Sequence, residues 1–305
     1  MKLSASNLGC FKWDIPTTIA RLRDYGFGGL DLRGVSGNMK PWTAPEFSSG
    51  IAETGVRLQD AGIVLSCISS SIVLSHSDPA KIAAADEELE RDAGICAALG
   101  CRQIRVFGGD LRNFSDNATE ADRDRVVEHI AERSRSLAER ARSVAPVDIL
   151  IETHDAWTNS EHMARALELT GRGDVGCCWD VKHTYWTAKE VPAVTWSRIA
   201  RWTRNTHWKD VRRNLGGRTL DAAAARLVAS TGFLCPTGSG IAPLADCVEM
   251  LDAAGYDGWY TLEWEKHWHP RIEEPEVAFP AFVRFMREAR AAILRQPDGL
   301  RPRAS

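Results

Sequence analysis

An excess of charge of either sign is what this 305-residue sequence most lacks. Its 38 Lys and Arg against 41 Asp and Glu leave a formal net charge of -3, with an isoelectric point near 6.3. Binding to a phosphate backbone or an anionic bilayer draws on a basic surface, so no nucleic-acid or membrane partner is expected. Long apolar runs are missing as well: no uncharged stretch approaches the roughly 18 residues of a membrane span, and the opening MKLSASNLGCFKWD has no signal-peptide core. The eight cysteines, at 10, 67, 96, 101, 177, 178, 235 and 247, contain no C-x-x-C pair. Several sit inside apolar runs, where they read as core thiols of a reducing, cytoplasmic protein. No low-complexity linker divides the chain, so one domain is expected.

What is present is a regular alternation. Short β-rich runs recur at KLSAS (Lys2), GGLDLR (Gly28), IVLSCI (Ile63), RQIRVF (Arg102), VDILIE (Val147), DVGCCWD (Asp174), NTHW (Asn205) and WYTLEW (Trp259). Between them lie segments of helical period, such as IPTTIARLRDYG, with Pro16 suited to a first turn and Gly26 to a C-terminal stop. Strands alternating with helices imply parallel pairing through helical crossovers. Eight such units over about 250 to 300 residues predict an α/β chain folded as a single (β/α)8 TIM barrel, spanning residues 1–296, with a polar tail over 297–305.

Barrels of this kind gather their chemistry at the carboxyl ends of several strands. The fifth run ends in Glu152, the sixth in Asp180, the seventh contains His207 and the eighth Glu263. A carboxylate at the end of a parallel strand, covered by helices outside and side chains inside, is costly unless it is paired or coordinates an ion. Three carboxylates and one imidazole form a hard, oxygen-rich ligand set, which predicts one divalent ion per chain. Mn²⁺ fits best, with Mg²⁺, Co²⁺ or Zn²⁺ as alternatives. Such an ion polarises a carbonyl, and Glu152 and Glu263, placed on opposite faces of the neighbouring carbon, would remove and return its proton through an enediolate. Return to the same carbon is epimerisation, return to the adjacent carbon is isomerisation, and departure of a β-substituent is elimination.

Five motifs extend this pattern: IETHD closing strand five, WDVKH closing strand six, THWKDVRR at strand seven, TGSGIAPL before the last unit, and GYDGWYTLEWE at strand eight. With them the chain resembles, over nearly its whole length, the xylose isomerase-like barrel superfamily, and within it the sugar-phosphate isomerase/epimerase group. The resemblance implies a metal bound by Glu152, Asp180, His207 and Glu263, proton exchange by the two glutamates, a small-molecule carbohydrate substrate and a homo-oligomer, dimer or tetramer. It also implies substrate contacts at His183 and Arg213, which stand at the offsets used by ketose epimerases. Those enzymes carry a second glutamate six residues after the strand-five ligand, where this chain has Thr158.

Further candidates surround this set. Lys209 and Arg213, just past the strand-seven histidine, offer cations for hydroxyl, carboxylate or phosphate, against a competing reading as solvated loop charges. Arg33, at the end of strand two, points to the same mouth. His154 is a candidate substrate contact or a support for the ligands. Gly238 and Gly240 lack the GK[ST] of a phosphate loop and read as turn glycines. The main expectation is therefore a metal-dependent sugar isomerase or epimerase, with a lyase or dehydratase acting on a keto-inositol or 3-keto-glycoside as the alternative. A nuclease resembling endonuclease IV is remote, because RQIRVFGGD holds no histidine and no D-x-H follows His207.

Overall fold

The computed structural model describes residues 1–109, 119–213 and 232–295. Eight parallel strands, β1 (Lys2–Ser6), β2 (Gly29–Leu32), β3 (Val64–Val73), β4 (Gln103–Phe107), β5 (Asp148–Glu152), β6 (Val175–Asp180), β7 (Thr203–Trp208) and β10 (Trp259–Leu262), close into a barrel. Neighbours in the barrel follow chain order, and β10 pairs with both β7 and β1. Each expected β run falls on one of these strands, with β3 running past Ile68 to Val73. The flanking helices are α1 (Ile15–Tyr25), α2 (Ile51–Asp60), α3 (Pro79–Leu99), α4 (Glu120–Arg142), α5 (Ser160–Thr170), α6 (Val181–Trp186), α7 (Pro192–Ile199), α8 (Leu244–Ala253) and α9 (Pro275–Arg295). The chain is thus a single-domain (β/α)8 barrel. The expected polar tail, 297–305, lies outside the described residues.

The local signals act as read. Asp14 caps α1 by accepting from the Thr17 amide at 2.7 Å, Pro16 sits in the first turn, and Gly26 ends the helix at φ 91°. Asp78 and Gly100 bracket α3 in the same way. Ile104, Val106, Ile149, Ile151 and Val175 are fully buried on the strands, each contributing about 1.5–3 kcal/mol relative to exposure. All eight cysteines are free and buried, and burial pushes the Cys10 thiol up to about 12, so they act as small apolar side chains. Among the described residues no helix is long and apolar enough to cross a membrane.

One element departs from simple alternation. After β7 the chain forms an antiparallel pair, β8 (Asp210–Arg212) with β9 (Phe233–Cys235), outside the barrel. The Asp210 carboxylate accepts from the amides of Val211 (2.8 Å), Gly238 (2.9 Å), Gly240 (2.8 Å) and Ala242 (3.3 Å). The glycines of TGSGIAP therefore wrap an anion that belongs to the chain itself. A Cβ on Gly240 would stand 2.1 Å from Asp210 Oδ1.

Candidate metal centre

Glu152, Asp180, His207 and Glu263 meet at the carboxyl ends of four adjacent strands, each offering one ligand atom, all within 4.8 Å of one another. The pairing explains the convergence: Asp180 is in register with His207, and Glu152 pairs with Cys178, two residues before Asp180 on the same strand. The amide of Glu263 donates to Trp208 O, continuing the β7–β10 ladder by one residue. His207 Nδ1 lies 3.2 Å from Glu152 Oε1 and 3.3 Å from Glu263 Oε2.

The D-x-x-H spacing has a local cause. Asp180 is the N-cap of α6, and its Oδ1 accepts from the His183 amide at 2.8 Å. Oδ2 is left without a hydrogen bond, although it is buried. It lies 2.8 Å from Lys209 Nζ and 3.3 Å from His183 Nδ1. Glu152 Oε2 is likewise buried without a hydrogen bond, next to Arg105 Nε at 3.2 Å. Buried carboxylate oxygens with unused lone pairs beside an imidazole nitrogen are a donor set that fits a divalent cation. Among the described residues this is the one group with such geometry.

Three buried residues not singled out from the sequence complete the surroundings. Asp31, on β2, places Oδ2 3.2 Å from His207 Nε2 and accepts there from Ser69 Oγ at 3.0 Å. Arg105, on β4, contacts Glu152, lies 3.9 Å from Glu263 Oε1, and donates to Ser70 O at 2.9 Å. Lys182 is 2% exposed, on the first turn of α6. A charged residue inside an otherwise apolar strand, as in GLDL and QIRVF, was the available signal, because such a charge needs a buried partner.

The charges bias one another. Burial raises the Glu263 carboxyl, but Lys209 and His207 outweigh it and hold the group well below the usual range. Burial and Glu263 push Glu152 up, while Arg105 and His207 bring it below its ordinary value. Both glutamates are therefore ionised. His183 is held neutral by burial and by Lys209 and Lys182.

The expected substrate-contact residues divide. Lys209 is fully buried rather than solvated, gripped by Asp180, Glu263 and Glu265 (2.6 Å for the last). His183 and His154 pack edge to face, their rings 4.8 Å apart, and His154 lies 4.8 Å from the Phe107 ring. Its Nδ1 is 2.9 Å from Asp155 Oδ1. Arg33 is nearly buried at the end of β2. Arg213 follows β8 and is exposed, so it is not packed among the buried charges.

A closed (β/α)8 barrel with a buried carboxylate and imidazole group at its strand ends defines a metal-competent barrel protein. The chain belongs to the xylose isomerase-like TIM barrel family, whose profile matches residues 19–289. A curated relative, the inosose dehydratase of Geobacillus thermodenitrificans strain NG80-2, is 29% identical over 122 residues, which span 40% of this chain and 38% of that protein. Among solved structures, the 3-keto-D-glucoside 4-epimerase YcjR from E. coli superposes with a TM-score of 0.70 at 15% identity, covering 94% of this chain and 99% of its own. The IolI protein with a bound zinc atom gives a TM-score of 0.71 at 14% identity, covering 95% and 99%. At such identities the structures speak to the fold.

Proposed function

We propose that this chain is a divalent-metal-dependent enzyme acting on a sugar or sugar derivative, which moves a proton on a carbon next to a carbonyl and so epimerises or isomerises its substrate. The observation that carries this reading is the convergence of two ionised glutamates, Glu152 and Glu263, with Asp180 and His207 within 4.8 Å. These four residues would hold the ion, with Mn²⁺ or Mg²⁺ favoured by three hard carboxylates. When bound, it supplies Lewis acidity to a carbonyl and a neighbouring hydroxyl. Glu152 and Glu263, both ionised, are the groups that would take and return a proton at the substrate carbon. Arg105 and Lys209 fix the two carboxylates in orientation, Arg105 from β4 and Lys209 from the residue after β7. His183, neutral and beside Asp180, offers a donor or an acceptor to a substrate hydroxyl.

The curated relative named a dehydratase favours a second outcome of the same proton abstraction, in which a β-substituent leaves instead of the proton returning. The Glu152→Gln and Glu263→Gln variants test both readings, because glutamine keeps the shape and one oxygen but accepts no proton at neutral pH. With a responsive keto sugar in D₂O, the parent introduces deuterium next to the carbonyl, one variant keeps exchange while losing inversion, and the other loses both. Product analysis separates epimer, isomer and eliminated product. Parental turnover in both variants at matched metal content would remove the glutamates as proton carriers and the proposal with them.

A further inference from the structure

Arg33 is 8% exposed, and its position is tightly held. Its amide donates to Asn7 Oδ1 at 2.8 Å, while Asn7 Nδ2 donates to Gly34 O at 2.6 Å, so the carboxyl end of β2 is clamped to the turn after β1. The guanidinium donates through Nη1 to Ser71 Oγ at 3.0 Å and stands 6.0 Å from the Phe107 ring centre. Among the described residues it forms no ion pair. Carboxylates stand near without pairing with it: Glu263, Glu88 and Asp31 favour its charge, and Glu88, on α3, spends Oε1 on the Ser71 amide. Asp92, one turn further along, is fully buried with both carboxylate oxygens unbonded, and burial pushes its carboxyl well up, toward the neutral form.

A charge removed from water without a partner is costly, and cores keep one only where something else compensates it. The location says what that is. Phe107 lies under both Arg33 and Arg105, and it touches His154, which touches His183, which touches Asp180. A chain of contacts thus runs around the barrel mouth from Arg33 to the metal-competent group. Among the described residues Arg33 retains unused N–H groups in a planar fork, the geometry that matches a carboxylate. The Ser71 hydroxyl, which accepts from Arg33, keeps its own O–H for the same anion.

We propose that the substrate carries a carboxylate, gripped by Arg33 and Ser71 on the β2–β3 side of the mouth while its carbonyl end meets Glu152 and Glu263. This inference rests on the proton-transfer reading above and narrows the substrate to a sugar acid or related keto acid. One fork and one hydroxyl suit two oxygens and one charge; a phosphate dianion would bring a second negative charge toward Glu88.

The test is calorimetric binding to the full chain loaded with Mn²⁺, comparing D-fructuronate and D-tagaturonate with their parent ketoses D-fructose and D-tagatose, and with D-fructose 6-phosphate. The expected result is a preference of about tenfold or more for each acid over its parent. Arg33→Gln brings that ratio close to one. Arg33→Lys, which keeps the charge and is the safer variant for folding, lowers it by at least about threefold. Equal binding of acid and parent, no binding by any of the sugars, a stronger response to the phosphate, or a parental ratio in either variant would each overturn the proposal. Deuterium exchange on the same samples separates the two readings: an acid preference without exchange defeats proton transfer alone, and exchange without the preference defeats the carboxylate alone.

Discussion

His207 reaches Asp31 across the barrel: its Nε2 lies 3.2 Å from Asp31 Oδ2, while Nδ1 faces Glu152 and Glu263. The two residues stand on β7 and β2, which are separated in the barrel by β10 and β1. A carboxylate on the far nitrogen of an imidazole sets its tautomer and strengthens the near nitrogen as a ligand. If the proposed site binds its ion, Asp31→Asn is expected to weaken that binding by about 10–100-fold while Glu152, Asp180, His207 and Glu263 all remain. Chelator competition reads the affinity directly, and an unchanged value would reduce Asp31 to a packing partner.

Arg105 contacts Glu152 where neither side chain reaches water. Removing one partner leaves a buried charge uncompensated, so Arg105→Met is expected to destabilise the metal-free protein by about 3–5 kcal/mol. Added Mn²⁺ should recover part of the loss, because it supplies positive charge to the same carboxylate. Denaturant unfolding with and without chelator checks this; equal losses in both conditions would mean that Arg105 acts apart from the ligand group.

Metal binding and pH are linked through His207. Burial lowers its pKa, but Cys178, Glu263, Glu152 and the adjacent Asp31 carboxylate outweigh this and hold it well above the usual histidine value in the metal-free protein. Its contribution to metal-free stability is thus fully present below the unfolded value and lost as pH rises through the raised folded value. A metal must displace that proton, so affinity rises with pH. The melting-temperature gain from a fixed Mn²⁺ excess should shrink as pH is lowered from about 8 to about 6. A gain independent of pH would argue that the imidazole is no ligand.

Gly240→Ala should destabilise the protein by about 1–3 kcal/mol, since the new methyl meets Asp210 Oδ1 at 2.1 Å and Val211 O at 2.5 Å. Gly173→Ala, whose Cβ meets nothing within 4 Å, is the matched control and should be near neutral. Thermal melts of the pair decide whether the Asp210 cradle is as tight as its hydrogen bonds imply.

The strand and helix alternation, the caps at Asp14 and Gly26, and the four metal-competent residues at strand ends were legible in the sequence because each depends on local pattern. A parallel barrel then carries every strand's carboxyl end to one mouth, so Glu152, Asp180, His207 and Glu263 could be grouped without knowing a distance. Asp31 and Arg105 were not legible in this way. Each sits inside a strand, and whether it faces the ligands or the helices depends on the pleat and on the stagger between strands, including the shifts after Leu30 and after Ser69. Lys209, read from the sequence as either a substrate-gripping or a solvated loop cation, is instead enclosed by Asp180, Glu263 and Glu265, and the glycines of TGSGIAP could not reveal that their anion is Asp210. Local periodicity and propensity determined the elements and the ends where chemistry gathers. Which charges neutralise one another, and that Arg33 is without an ion pair among the described residues, was decided by barrel closure, because those contacts join strands far apart in the chain.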